Sequence, residues 1–130
     1  MKGLWYLAHP YTVKNKKGEY VAGGEEANFQ LCNLRAARLI EKGVLIYSPI
    51  SHTHPIHQIY PPFVGGEVHV MWYEFDNAII RATPFEGIIL SPGWENSQGC
   101  RGEKVLFEEL GRKVKYLTEH EAISDTPPEA

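Results

Sequence analysis

Apolar residues recur along this chain in two rhythms. Short runs at residues 3–8 (GLWYLA), 44–48 (VLIYS), 85–91 (FEGIILS) and 113–118 (KVKYLT) have the length and character of buried strands. Between them, apolar positions return every three or four residues, the helical period. Residues 25–43 form the clearest helix: Phe29, Cys32, Leu34, Ala36, Leu39 and Ile40 supply an apolar face, Glu25 and Glu26 lie in the first turn, and Gly43 ends it. Residues 67–82 place Val68, Trp72, Phe75 and Ile79 on one stripe, with Met71 and Ala82 beside it. Residues 98–111 carry Val105, Leu106 and Leu110 inward, with Gly111 as the stop. The predicted order is β-α-β-α-β-α-β. It implies an α/β, Rossmann-like or flavodoxin-like three-layer sandwich with a parallel sheet of four to five strands and right-handed crossovers.

Two stretches interrupt the pattern. Residues 12–26 contain Asn15, Gly18 and the pair Gly23-Gly24, and read as a loop or small hairpin. Residues 49–66 hold four prolines and three histidines, and read as a long loop. The domain spans 1–120, and 121–130 is a polar, Pro-rich tail expected to fray.

Composition narrows the field of functions. With 130 residues, 43% hydrophobic content and a net charge of -3, the chain is sized for one domain with a real core. No basic patch stands out to hold polymeric nucleic acid. No segment approaches a membrane span, and the opening apolar stretch is too short for a signal peptide. Cys32 and Cys100 form no CxxC pair and read as reduced thiols of a cytoplasmic protein.

In parallel sheets ligands sit beyond the carboxyl ends of the strands, where strand order reverses. Three segments follow such ends: AHPYT, SPISHTH and SPGWENSQGCRGE. The last is overequipped for a turn. Ser97 can cap a helix, and Gly99 lets backbone approach a ligand. With the helix dipole they make a site suited to a phosphate or carboxylate. Glu103 follows in the helix, Asp76 flanks the stripe of the preceding helix, and Tyr6 lies near the end of the first strand. Two carboxylates and a phenol at strand ends suit glycosyl-bond chemistry: one carboxylate attacks an anomeric carbon, the other manages a proton, and the phenol orients the nucleophile. Each also has a plainer reading, as dipole-favourable, solvated or core-packed. His52, His54 and His57 resemble a metal-binding run, but no Asp adjoins them and Pro55 breaks any helix that would align His54 with His57. No metal is expected, and the histidines are read as loop residues that contact substrate or solvent.

The segments YLAHPYT, AARLIEKG, VLIYSPISHTH, WYEFDNAIIRAT, ILSPGWENSQGCRGE and GRKVKYL, in this order, resemble the nucleoside 2-deoxyribosyltransferase-like superfamily, in a branch marked by PGWxxSxGxxxE. The resemblance runs from Leu4 to about Leu117. It implies that Glu103 is the nucleophile, that Asp76 helps the base or water exchange protons, and that Tyr6 contacts the nucleophile. It implies a 5′-phosphate at Ser97 and Gly99, and a base and sugar pocket lined by His9, Pro10 and Tyr11, with Trp94 forming one wall. Deoxyribosyltransferases proper carry an aspartate where Ser97 stands, which points toward monophosphate hydrolases. The insertion at 13–24 and the histidine loop do not map onto the pattern. The implied activity is hydrolysis or transfer of the N-glycosidic bond of a nucleoside or its 5′-monophosphate, without cofactor. The alternative is a nucleotide-binding or sensing module without turnover. Crowded aromatics at Trp72, Tyr73 and Phe75, with Tyr60 and Phe63 before them, imply a homodimer or larger homo-oligomer.

Overall fold

The computed structural model describes residues 2–59 and 66–128, with side chains omitted at 66–71. The elements run β1 (Leu4–Ala8), α1 (Gly24–Glu41), β2 (Leu45–Tyr47), α2 (Pro49–Ile59), α3 (Gly66–Ala82), β3 (Gly87–Leu90), α4 (Gln98–Glu109), β4 (Lys113–Leu117) and β5 (Ile123–Ser124). One 3-10 turn, Trp94–Asn96, precedes α4. The sheet order is β2-β1-β3-β4-β5. The first four strands are parallel, and β5 is antiparallel to β4. Strand order reverses between β1 and β3, so their carboxyl ends frame the crevice where a Rossmann-like sheet takes its ligand.

Alternation along the strands builds one core on each face. Tyr6 and Ala8, Ile88 and Leu90, and Tyr116 meet Ile80 of α3 and Cys100, Leu106 and Phe107 of α4. On the other face, Leu7, Ile89 and Leu117 meet Cys32, Ala36 and Leu39 of α1 and Ile50 of α2. This is a three-layer α/β/α sandwich. The helical faces are narrower than the periodicity suggests. Leu34 and Ile40 are exposed on α1. On α4, Val105 and Leu110 point outward and Phe107 takes the inward position.

Two segments differ from expectation. Residues 49–59, read as loop, are helix α2 and run through Pro55. Pro49 occupies the first helical position, where its missing N–H costs nothing. Pro55 costs about 3 kcal/mol inside a helix, and anchoring on α1 offsets it. Ser51 donates to Asn33, the Cys32 thiol meets the Ser48 hydroxyl at 3.2 Å, and His54 lies against Phe29 with ring centroids 4.5 Å apart. Residues 123–124, inside the stretch read as tail, pair with Leu117 and Tyr116 as β5. Within the 12–26 segment, read as a loop or small hairpin, one antiparallel bridge joins Lys14 and Tyr20, and residues 24–26 already belong to α1.

Gly87 has no room to change. A Cβ there would lie 2.3 Å from the Lys113 carbonyl oxygen and 2.6 Å from the Trp5 ring. The Lys113 carbonyl is backbone fixed by the ladder, so relief of that contact requires parting β3 from β4. Gly87→Ala is expected to destabilise the fold by about 2–4 kcal/mol, read as a lower midpoint in urea unfolding. A midpoint within experimental error of wild type would contradict this packing.

Candidate active site

Tyr6 stands at the centre of β1, next in register to Tyr47 of β2 and Ile88 of β3. It is fully buried, with its ring against Phe85 (5.5 Å, edge-on), Phe107 (5.5 Å) and Tyr47 (6.1 Å). Its hydroxyl donates a short hydrogen bond to the Glu103 carboxylate on α4. Glu103 is 9% exposed, which makes it a carboxylate inside an aromatic core. Burial, and then the nearby charge of Asp76, push its pKa up to about 8, while the Tyr6 hydrogen bond pulls the other way. Asp76 on α3 is raised to about 7 by burial, and its Oδ1 is buried with no hydrogen-bond partner among the described residues. Burial drives Tyr6 well above the ordinary phenol value, with Glu103 and Asp76 adding to the shift. Tyr6 therefore stays a proton donor. The two carboxyls share one field and titrate as a pair. A buried carboxyl pair sharing one field at the switch point of a parallel sheet is a candidate acid/nucleophile set.

The structure brings Tyr6, Asp76 and Glu103 together from three elements. It adds Tyr47, which the sequence reading passed over. Burial and then the Asp76 charge raise its hydroxyl. The available signal was a second tyrosine near the carboxyl end of a strand, in VLIYS, matching the first in GLWYLA.

The turn after β3 forms as a cap. Ser97 Oγ accepts from the Cys100 N–H at 3.2 Å, and Gly99 is exposed at the α4 N-terminus. Pro10 lies against this turn, since a Cβ on Gly93 would sit 3.4 Å from its ring. Trp94 packs on Tyr116 (5.7 Å) under Lys104 (5.9 Å). Its ring is thus spent largely on the core.

The remaining candidates cluster apart from Glu103. His9 is 5% exposed and engages Arg35 of α1 through Nε2 (2.8 Å), with Nδ1 donating to the Pro10 carbonyl (2.7 Å). Burial lowers its pKa to about 4, so it is a neutral acceptor that seats the loop after β1. Tyr11 bonds both His54 (2.5 Å) and His57 (3.0 Å), and His54 reaches Glu26 at 2.5 Å. His52 stacks on Phe75 of α3 at 6.0 Å. Among the described residues, no three His, Cys, Asp or Glu side chains converge to hold a metal ion. None of the described helices is long and apolar enough to cross a membrane.

A family model described as "Domain of unknown function (DUF1937)" matches residues 3–119. No curated protein matches the chain.

Linkage gives the carboxyl pair a measurable signature. Glu103 and Asp76 have folded pKa values raised above their unfolded values near 4. The folded state therefore holds the extra protons, and this contribution to stability is complete below about pH 4 and is lost as pH rises toward 8. Glu103→Gln keeps an acceptor for Tyr6 and removes the titration. The variant is expected to lose stability less steeply between pH 5 and 8, and to exceed wild type at pH 8 by on the order of 1–2 kcal/mol. Parallel stability–pH curves for the two proteins would show that Glu103 does not titrate as a buried carboxyl.

Proposed function

The chain belongs to the DUF1937 family, a domain of unknown function, and we propose that it cleaves the N-glycosidic bond of a nucleoside or nucleoside 5′-monophosphate. The observation that carries this reading is the buried Tyr6–Glu103 hydrogen bond beside Asp76, at the sheet's switch point. A lone buried carboxylate is costly, and a structural role needs only an apolar side chain there. A carboxylate oriented by a phenol next to a second, proton-bearing carboxyl is what glycosyl transfer to a protein nucleophile requires.

In this reading Glu103, in its ionised form, attacks C1′. The C1′–N bond breaks and its electron pair leaves with the base. The reactive form of the pair has its shared proton on Asp76, which gives it to the base nitrogen; with Asp76 raised to about 7 and Glu103 to about 8, this is the less populated placement of that proton. Water, or an acceptor base, then displaces Glu103 from C1′ and returns a proton to Asp76. The Tyr6 hydroxyl holds the attacking oxygen on line and stabilises the anion when it is regenerated. The exposed N-terminus at Gly99, beside the Ser97 hydroxyl, fits a 5′-phosphate. The chemistry uses the chain's own carboxylates. Free buried thiols at Cys32 and Cys100 suit a reducing, cytoplasmic setting.

Glu103→Gln is expected to abolish release of free base, by at least about 10³-fold, when wild type and variant are incubated with a panel of nucleosides and monophosphates. Undiminished release by the variant would remove Glu103 as the nucleophile. Nucleotide binding with no release by wild type would favour a sensing module on the same fold.

Assembly is part of the same reading. Tyr73 is 50% and Phe75 40% exposed on α3, the helix that carries Asp76. Tyr60 and Phe63 lie outside the described residues. The exposed rings support a homodimer packed through α3, with the partner walling the crevice near Asp76. Light scattering at micromolar concentration is expected to give at least twice the 14.7 kDa of one chain; a monomer mass refutes the assembly.

A further inference from the structure

The histidine helix carries an arrangement that the carboxyl chemistry does not use. With each imidazole carrying a single proton, hydrogen-bond bookkeeping fixes where the protons sit. Glu26 is held below the usual carboxylate range by its bond to His54, so it only accepts, and His54 Nε2 must be the N–H. Neutral His54 then has a bare Nδ1, which accepts the Tyr11 O–H. Tyr11 has one proton, already given away, so the Nδ1 of His57 must bear a hydrogen and donate to the Tyr11 oxygen. That leaves His57 Nε2 bare. Among the described residues it has no hydrogen-bond partner.

His57 does not stand alone. Its ring meets Trp72 of α3 edge-on at 6.2 Å, and the Trp72 indole N–H is buried with no partner among the described residues. Trp72 lies one helical turn before Asp76, whose Oδ1 is likewise buried with no partner among the described residues. Unsatisfied buried polar atoms are rare and costly, and a ligand's polar atoms can satisfy them. His57 offers an acceptor, Trp72 a donor, and both adjoin the turn of α3 that bears the acid for the leaving group.

We infer that His57 and Trp72 form the subsite that reads the edge of the leaving base, and that Tyr11, His54 and Glu26 are positioning residues that lock His57 in the Nδ1–H tautomer. This rests on the glycosidase reading for the identity of the ligand. His57 Nε2 accepts from a base N–H, and the Trp72 N–H donates to the adjoining ring nitrogen or carbonyl oxygen. The ligand class is a heterocycle with an N–H beside an acceptor. A site built on such a pair rejects an analogue that lacks the N–H by ~10²-fold or more.

Two measurements test this, and neither needs turnover. Long-range proton–nitrogen correlation spectra of histidine-labelled protein at pH 8 are expected to show His57 as Nδ1–H and His54 as Nε2–H. In Tyr11→Phe, His57 is expected to revert to Nε2–H while His54 keeps its tautomer. An Nε2–H His57 in wild type overturns the lock, and wild type alone decides this if the variant fails to fold. Calorimetric titration of wild type with adenine and uracil, each against its analogue methylated at that N–H (N6,N6-dimethyladenine and 3-methyluracil), tests recognition. At least one parent base is expected to bind ~10²-fold more tightly than its analogue, with the gap narrowed in Tyr11→Phe. Equal affinities, or no binding by either parent, overturn the subsite. Base release abolished in Glu103→Gln alongside equal affinities would sink this inference alone; the expected tautomers and affinities without base release would sink the glycosidase reading alone.

Discussion

The buried bond from the Tyr6 hydroxyl to the Glu103 carboxylate organises the molecule. It ties the centre of the sheet to α4 through a group that has every electrostatic reason to be in water. Everything around it manages that cost. Phe85 and Phe107 exclude solvent, Tyr6 supplies the one strong donor, and burial together with Asp76 holds the pair near the middle of the pH scale. A hydrophobic residue at position 103 would pack with less penalty. Under the proposed function the carboxylate is there to act on a ligand, and the stability spent on it is the trade such a role entails.

Most of the fold was legible because it rests on periodicity. The four parallel strands and three of the helices follow from apolar runs and helical spacing, and a parallel sheet with helices on both faces follows from their alternation. Helix α2 was not legible, because the rule applied to it was local. Pro55 does remove a backbone donor, but the decision is made by Asn33, Phe29 and Glu26, which lie 18 to 28 residues away in sequence from the residues they hold. Strand β5 was hidden for a related reason. Two residues among polar and proline neighbours carry no period, and only the waiting edge of β4 gives them a conformation.

The site was legible in its acids and less so in its surroundings. Tyr6 near a strand end, Asp76 beside the stripe of a helix and Glu103 early in a helix were singled out as candidates, and the family resemblance joined them into one cluster, which the fold then brings together. His9 and Trp94 both follow strand ends, and there Arg35 engages the Nε2 of one while Tyr116 packs on the ring of the other. Whether a side chain at a strand end faces a ligand depends on which neighbour claims it first, and that neighbour is set by packing across layers. Tyr47 was missed because a tyrosine in a strand is ordinarily core, and only its register beside Tyr6 makes it part of the carboxyl cluster.

The two outer strands of the sheet are β2, with three residues, and β5, with two, the latter followed closely by Pro127 and Pro128. An exposed edge is a template on which another chain can add a strand, and long flat edges invite fibrils. Here the template is too short to seed one. While the helices stay packed, a second copy meeting either edge finds few backbone groups to pair with, so the sheet offers little on which to grow from copy to copy.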